Sequence, residues 1–488
     1  MGTFRRALGN GGVMLLSQVI TWTATLVLTG ALARYLGNVG FGNLYLATSM
    51  ALIFSVLVNF GLDQQLTRAV ARDKSLTQTY LINSLAIKTL TAGIAYLMVI
   101  SLAHLLHYDS TMQHLILIYS LILFLNGYTA SFTAAFQAHE YMVPPAVASI
   151  FEKVFDAAAA ILLLSLGYGI LAVAAVYVAG AASNLLWQLV LSRRKLSLGL
   201  PRIDRAVVRV LVIGALPFFL YWVLGSIYYR IDVVLLSKMT NETVVGWYGA
   251  AYRLFDTLVF LPNIVSTAII FPILSRLSQN SRENFSIALN RGLQTMVIIG
   301  LPLCTGLFTL ARPIISFVYG KSEFLPAVPA LRWLALGLFV LYLNSILGVA
   351  LISLNQERKM TVAAGIAIAV NLALNVALIP RYQHVAAAAT TFFTELLLFG
   401  YLLHYLPSDL RLRGSLSTCV RVAAASAAMA LVLTALRHQP LALLIPLGAA
   451  VYAAGILALG VVSRRELQMI VREVARRRAP VEGEAVKV

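Results

Sequence analysis

Stretches of about 20 apolar residues recur from one end of this chain to the other, long enough to cross the hydrocarbon of a bilayer as a helix. About fourteen of them can be read, at roughly 10–35, 41–61, 79–104, 113–137, 143–166, 169–191, 207–238, 243–275, 285–310, 327–353, 359–379, 384–404, 415–436 and 440–462. In hydrocarbon every backbone N–H and C=O must be satisfied within the protein, so segments of this length are helical. The expected fold class is an all-α polytopic membrane protein with about fourteen transmembrane helices. Hydrophobic residues make up 60% of the chain and charged residues 11%, against about half and a quarter in a soluble protein. No polar segment is long enough for a soluble domain. The first apolar run is too long for a cleavable signal core and reads as the first span. Cys304 and Cys419 both lie in apolar text, so neither a disulfide framework nor a metal cluster is expected.

The net charge of +18 is distributed as a membrane topology, not as a nucleic-acid footprint. If the N-terminus is cytoplasmic, the inner loops carry Arg68, Arg72, Lys74, the cluster Arg193 to Arg209, Arg276, Arg282, Arg291, Arg358, Lys359, Arg411, Arg413 and the basic tail. The outer loops carry only Lys238, Arg312, Lys321, Arg381 and Arg437. That asymmetry places both termini in the cytoplasm, in a cell (inner or plasma) membrane. The segment Leu62 to Ser75, with Leu62, Leu66 and Val70 on one stripe, is expected to lie on the membrane face. The tail Arg464 to Arg478 reads as a basic interfacial helix anchored to anionic lipid.

The linker at Ser192 to Arg209 separates two similar halves. Tyr168-Gly-Ile-Leu-Ala-Val-Ala-Ala is echoed by Tyr382-Gln-His-Val-Ala-Ala-Ala-Ala, and Val39-Gly-Phe-Gly by Val245-Gly-Trp-Tyr. Each half has six spans, so both start on the same side, as in a parallel repeat with a substrate site between the halves. The expected organisation is a six-helix bundle over residues 1–191, a basic linker over 192–206, a second six-helix bundle over 207–404, two extra helices over 405–462 and a basic tail over 463–488. Pro262 and Pro272 are expected to bend the eighth span.

No catalytic constellation stands out, and the chain reads as a non-enzyme. Gly320-Lys321-Ser322 resembles the end of a phosphate loop, but Ile315 stands where that loop needs glycine. The informative residues are charges set in apolar text, because such residues normally face a bundle interior or a watery cavity. The cations are Arg34, Lys88, Lys153, Arg230 and Arg253. The acids are Glu152, Asp156, Asp232, Asp256 and Glu395, which either balance the cations or serve as proton or sodium coupling sites. Each could equally be a structural ion pair or a snorkelling side chain. Arg253 and Asp256 are three apart and share a helix face, so they are placed either to pair with each other or to line a cavity. Arg230 and Asp232 point to different sides. Lys88 lies roughly 14 Å into its span with no acid within a turn, which makes it the first candidate for a cavity cation. Asn371 and Asn375, one turn apart, add polar lining or helix–helix glue.

With these residues in hand the chain resembles the polysaccharide-transporter branch of the multidrug/oligosaccharidyl-lipid/polysaccharide exporter superfamily. The resemblance is carried by Ala33-Arg-Tyr-Leu-Gly with Gly40-Phe-Gly, by Arg230-Ile-Asp232, and by Val245-Gly-Trp-Tyr-Gly-Ala-Ala-Tyr-Arg253. Phe317-Val-Tyr-Gly320 and Leu378-Ile-Pro380-Arg-Tyr382 continue it. Gln383-His384 departs from it, standing where such proteins have a glycine-containing turn. The resemblance implies two six-helix bundles in a V with alternating access, and a cationic cavity for the pyrophosphate of a polyprenyl-linked glycan. It makes the chain a flippase moving that lipid-linked oligosaccharide to the outer leaflet. Membrane lipids surround the protein, and glycan polymerases and glycosyltransferases of the same pathway are candidate partners. No cofactor is implied beyond proton or sodium coupling. A drug/cation antiporter of the same superfamily and a lipid II-type flippase are the alternatives.

Overall fold

The computed structural model describes residues 2–196, 203–410 and 416–461. The expected tail helix, Arg411 and Arg413, and the middle of the linker lie outside them. The described chain is helical: α1 (Gly2–Asn59), α2 (Leu62–Arg72), α3 (Thr77–Leu105), α4 (Ser110–Ser120), α5 (Ile122–Ala138), α6 (Val143–Ser165), α7 (Ile170–Lys195), α8 (Arg205–Met239), α9 (Glu242–Ile264), α10 (Phe271–Asn280), α11 (Arg282–Thr309), α12 (Ala311–Tyr319), α13 (Ala327–Ser353), α14 (Glu357–Tyr405), α15 (Leu416–Ala435) and α16 (Leu441–Ala458). Among the described residues there are 10 helical segments long and apolar enough to cross a membrane. Of the apolar runs read from the sequence, those at 143–166 and 207–238 lie on α6 and α8, outside these ten segments, and the others overlap them. Two helices hold a break: α1 at Gly37 and α14 at Gln383.

The breaks have different chemistry. Gly37 sits at φ 66° and ψ −174°, a conformation open to glycine and strained for other residues. Gln383 occupies φ 50° and ψ −131°, so the departure from a glycine turn noted above places strain on a side-chain-bearing residue. Its neighbour His384 is buried, donates from Nε2 to the Pro326 carbonyl at 2.8 Å and lies 5.3 Å from the Trp247 ring. The bend expected at Pro262 and Pro272 takes the form of a π-helical segment, Val265–Ile270, between α9 and α10. Proline removes a helical donor and crowds the carbonyl four residues back, and a π segment absorbs the mismatch.

Two compact units make up the chain. The first contains residues up to Leu258, Ile315–Leu334 and Glu357–Leu398, and holds every candidate charge. The second contains Val259–Ile314, Ala335–Gln356 and residues from Phe399 on. Inside it Leu310, Met429, Leu433 and Leu444 form one apolar cluster, and the Tyr452 hydroxyl donates to the Ile298 carbonyl at 2.6 Å.

In the first unit the stripe Leu62, Leu66 and Val70 faces protein, not the membrane surface. Leu66 and Val70 pack with Leu81 and Phe132, and Leu62 with Leu211 and Ala215. Gln65 donates to the Gly214 carbonyl at 2.7 Å, tying α2 to α8. The helix is thus a packed rib and not an interfacial float, because its apolar face finds better burial between α3, α5 and α8.

The two echoing segments meet each other in this unit. A Cβ on Gly42 would overlap the Glu242 carbonyl and come within 2.7 Å of the Gly246 nitrogen. One on Gly246 would overlap the Asn38 carbonyl. One turn on, Gly249 lies against the Tyr45 ring. Backbone therefore touches backbone where α1 crosses α9, as small residues permit in membrane helices. Gly246→Ala is expected to cost about 1–3 kcal/mol, the usual range for overpacking, read as a fall in the thermal midpoint of the detergent-solubilised protein. An unchanged midpoint would show that the crossing can open without loss.

Candidate functional site

The crossing of α1 and α9 sets the register of the charges beside it. Arg230, on α8, donates from one guanidinium nitrogen to the Tyr45 hydroxyl at 2.7 Å and from another to Asp256 Oδ2 at 2.6 Å. Its guanidinium lies 5.7 Å from the Tyr45 ring centroid and 5.0 Å from that of Tyr252. Side-chain exposure is 13% at Arg230 and 32% at Asp256, so the pair is reachable and not sealed. Asp232 turns away, as its spacing requires, and accepts from the Tyr248 hydroxyl and from the Val233 N–H at 2.8 Å.

Arg253 does not pair with Asp256, although the two share a helix face. Asp256 is claimed by Arg230, which delivers a forked donor from the neighbouring helix. Arg253 instead reaches α1, where it donates to the Thr29 hydroxyl at 3.3 Å and lies 5.0 Å from the Phe41 centroid. Phe41 is edge-on to Tyr319 at 5.7 Å and to Phe324 at 5.6 Å, and all three rings are buried. Tyr319 donates to the Ala250 carbonyl at 2.7 Å. A guanidinium has five N–H donors and no acceptor. Held by the Thr29 and Tyr177 hydroxyls and one ring, that of Arg253 keeps donors for an anionic oxygen.

The sixth-helix charges form a network of their own. Lys153 meets Glu152 at 2.6 Å and Asp156 at 3.4 Å. Glu152 accepts from Asn184 at 2.6 Å, Asn184 from Gln188 at 2.9 Å, and Gln188 from Thr133 at 3.0 Å. The chain of bonds thus runs from α6 through α7 to α5. The Asp156 carboxylate rests on Gly180, where any side chain would collide with it.

Lys88 is not a lone cation. It is fully buried, meets Asp63 at 2.6 Å and donates to the Gly127 carbonyl at 2.8 Å. Asp63 also accepts from Ser131 at 3.3 Å. The partner was hidden because it belongs to α2, which the sequence places on the membrane face. The signal that could have found it is the need itself: a cation that deep requires a carboxylate, and Asp63 is the acid in the first turn of α2, in the same half. Glu395 is buried and accepts from the Tyr228 hydroxyl at 3.0 Å. Arg34 is exposed, with its guanidinium against Gly320, which sits at φ 68°. Asn375 donates to Asn371 at 2.9 Å, both buried. Sequence reasoning does not reach Tyr45, Asn184, Gln188 and Tyr248, since aromatic and amide residues in apolar text carry no spacing signal.

The structure therefore pairs Arg230 with Asp256 in one centre, with Asp232 directed to Tyr248 and Arg253 reaching α1 from the same helix as Asp256. Glu152, Lys153 and Asp156 form a second centre and Lys88 a third. Such a set can hold an anion at Arg253 and offer it a second, contested donor at Arg230, where Asp256 competes. Among the described residues no group of His, Cys, Asp and Glu has the geometry of a metal site.

Comparisons with known proteins bear on the family and the fold. A family model described as polysaccharide biosynthesis protein matches residues 7–278, and one described as MatE matches residues 217–377. The probable flippase AglR of Haloferax volcanii is 27% identical over 256 residues, covering 50% of this chain and 53% of that one. The succinoglycan biosynthesis transport protein ExoT of Rhizobium meliloti is 27% identical over 337 residues, covering 67% of this chain and 65% of that one. The matches thus span between about half and two thirds of these relatives. Among solved structures, the lipid II flippase MurJ in an inward closed conformation has a TM-score of 0.74 at 18% identity, covering 96% of this chain and 100% of that one. An inward-facing multidrug resistance MATE family transporter has a TM-score of 0.56 at 12% identity, covering 80% and 93%. These likenesses establish an all-helical transporter fold and a multi-pass membrane protein.

Proposed function

The chain belongs to the polysaccharide biosynthesis protein family, and on that premise we propose that it is a flippase carrying a lipid-linked oligosaccharide from the cytoplasmic to the outer leaflet. The observation that carries this reading is Arg253, a guanidinium within a spanning helix that is held by the Thr29 and Tyr177 hydroxyls and a ring and not by a carboxylate. A half-buried cation with spare donors fits an anionic headgroup, and pyrophosphate needs such donors to leave water. Arg230, shared with Asp256, is the second donor from which the anion can be released. The proposed role is transport without catalysis and without a cofactor. An anion moving outward from a negative interior gains about 2.3 kcal/mol per charge per 100 mV, and the acids Glu152, Asp156, Asp232, Asp256 and Glu395 are the proposed proton or sodium sites. Both termini are proposed to be cytoplasmic, from the loop charges. Glycosyltransferases and a glycan polymerase of the same pathway are the proposed partners.

Arg253→Gln tests the reading. Surface polysaccharide export in cells is expected to fall at least tenfold, with the protein present at normal abundance, since a charged hydrogen bond is worth about 1.5–3 kcal/mol. Full export in that variant would remove the assignment. Should the variant instead leave export intact while wild-type cells resist cationic dyes, the drug/cation antiporter reading would replace it.

A further inference from the structure

Beside the Lys88–Asp63 pair the first unit contains a cavity of about 580 Å³ between α2 and α5. That volume lies within the roughly 300–1,000 Å³ of small-ligand sites. Its polar lining comes from Asp63, Gln64 and Arg68 on α2 and from Asn126, Thr129 and Gln137 on α5. Positions 126, 130, 133 and 137 form one stripe on α5, so the cleft follows that helix for roughly 16 Å. The side-chain amides of Gln64, Asn126 and Gln137 make no hydrogen bond to protein among the described residues. Each offers two donors and one acceptor. The wall behind them is fixed: Thr133 is bonded to Gln188, and Ser131 to Asp63.

The charge balance selects the ligand class. An anion would meet Asp63 beside Arg68. A cation would have to displace Lys88, which holds Asp63 at 2.6 Å. An apolar ligand would leave three carboxamides unpaired, which is costly. A neutral ligand rich in hydroxyl groups satisfies them all, because each amide can both donate to and accept from a hydroxyl. We propose that this cleft binds a neutral, polyhydroxylated sugar unit, at a place separate from the Arg230 and Arg253 centre. The proposal rests on the transport reading above and names the part of the cargo that α2 and α5 hold.

The test uses the purified full-length protein in lipid nanodiscs and free glucose, galactose, N-acetylglucosamine and cellobiose as probes, read by saturation-transfer NMR. At least one sugar is expected to give saturation transfer with the wild type. Asn126→Leu and Gln137→Leu, singly and together, are expected to weaken that binding by about tenfold or more, whereas Arg253→Gln keeps it. Asn126 is exposed and Gln137 half-buried, and the thermal midpoint of each variant is measured alongside. Absence of transfer for all four sugars, or binding unchanged in the folded double variant, overturns the proposal. Because free sugars carry no lipid or phosphate, failure of the cleft is separable from failure of the flippase reading. Lipid-linked glycan transport intact without sugar binding strikes only the cleft.

Discussion

Lys88→Ala is expected to lower the stability of the folded protein by about 3 kcal/mol, at the low end of the 3–5 kcal/mol for breaking a buried ion pair. Lys88 has no exposed side-chain surface, while Asp63 keeps 21% of its own. The orphaned carboxylate can therefore recover part of its hydration, which moderates the loss. The Gly127 carbonyl also loses its donor, and the lysine stem leaves a void beside Val58, which lies close against Gly127. Replacing both partners by neutral residues of similar shape should recover most of the loss, so Lys88→Met with Asp63→Asn is expected to unfold close to the wild-type midpoint. Thermal unfolding in detergent, with abundance in the membrane, reads both. A Lys88→Ala protein of wild-type stability that no longer transports would make Lys88 a substrate contact and not a structural one.

Arg230→Met carries the second large effect. It removes the forked donor to Tyr45 and Asp256 and leaves a carboxylate where an anion is proposed to pass. Transport is expected to fall by about 10- to 100-fold, the equivalent of the roughly 1.5–3 kcal/mol of a charged hydrogen bond. Adding Asp256→Asn should restore stability but not transport, because the repulsive charge goes and the attractive one does not return. Arg230→Lys should rescue only in part, since an ammonium cannot reproduce the planar fork between a phenol and a carboxylate. Transport assayed against unfolding midpoints separates the two roles, and a double variant that regains transport would mean that Arg230 serves only to neutralise Asp256.

The helical class and the glycine break at residue 37 were legible because each is written along one segment. So were the opposed directions of Arg230 and Asp232, which follow from helical period alone. The echo between Val39-Gly-Phe-Gly and Val245-Gly-Trp-Tyr was legible as text but not as contact. Only the fold shows that the repeated glycines are used against each other. Pairing across helices was not legible. Arg253 and Asp256 satisfy the rule for neighbours on one helix, yet Arg230 takes the carboxylate because α8 presents its guanidinium at the right height. Lys88 looked unpartnered because Asp63 is 25 residues away in chain. The stripe on α2 reads the same whether it meets lipid or protein, and only packing against Leu81, Phe132 and Leu211 distinguishes them. The cleft along α5 has no sequence signature, since scattered amides on a spanning helix also serve as helix–helix glue.

The most direct measurement is translocation by the purified protein in proteoliposomes loaded with a labelled polyprenyl-pyrophosphate-linked oligosaccharide. Movement is read by the fraction of glycan reached by a membrane-impermeant reagent, with and without an imposed potential. The account predicts translocation well above protein-free vesicles, faster when the potential drives anions toward the receiving leaflet, and reduced to background by Arg230→Gln with Arg253→Gln. Wild-type vesicles no faster than protein-free ones, or a double variant as fast as the wild type, would contradict it.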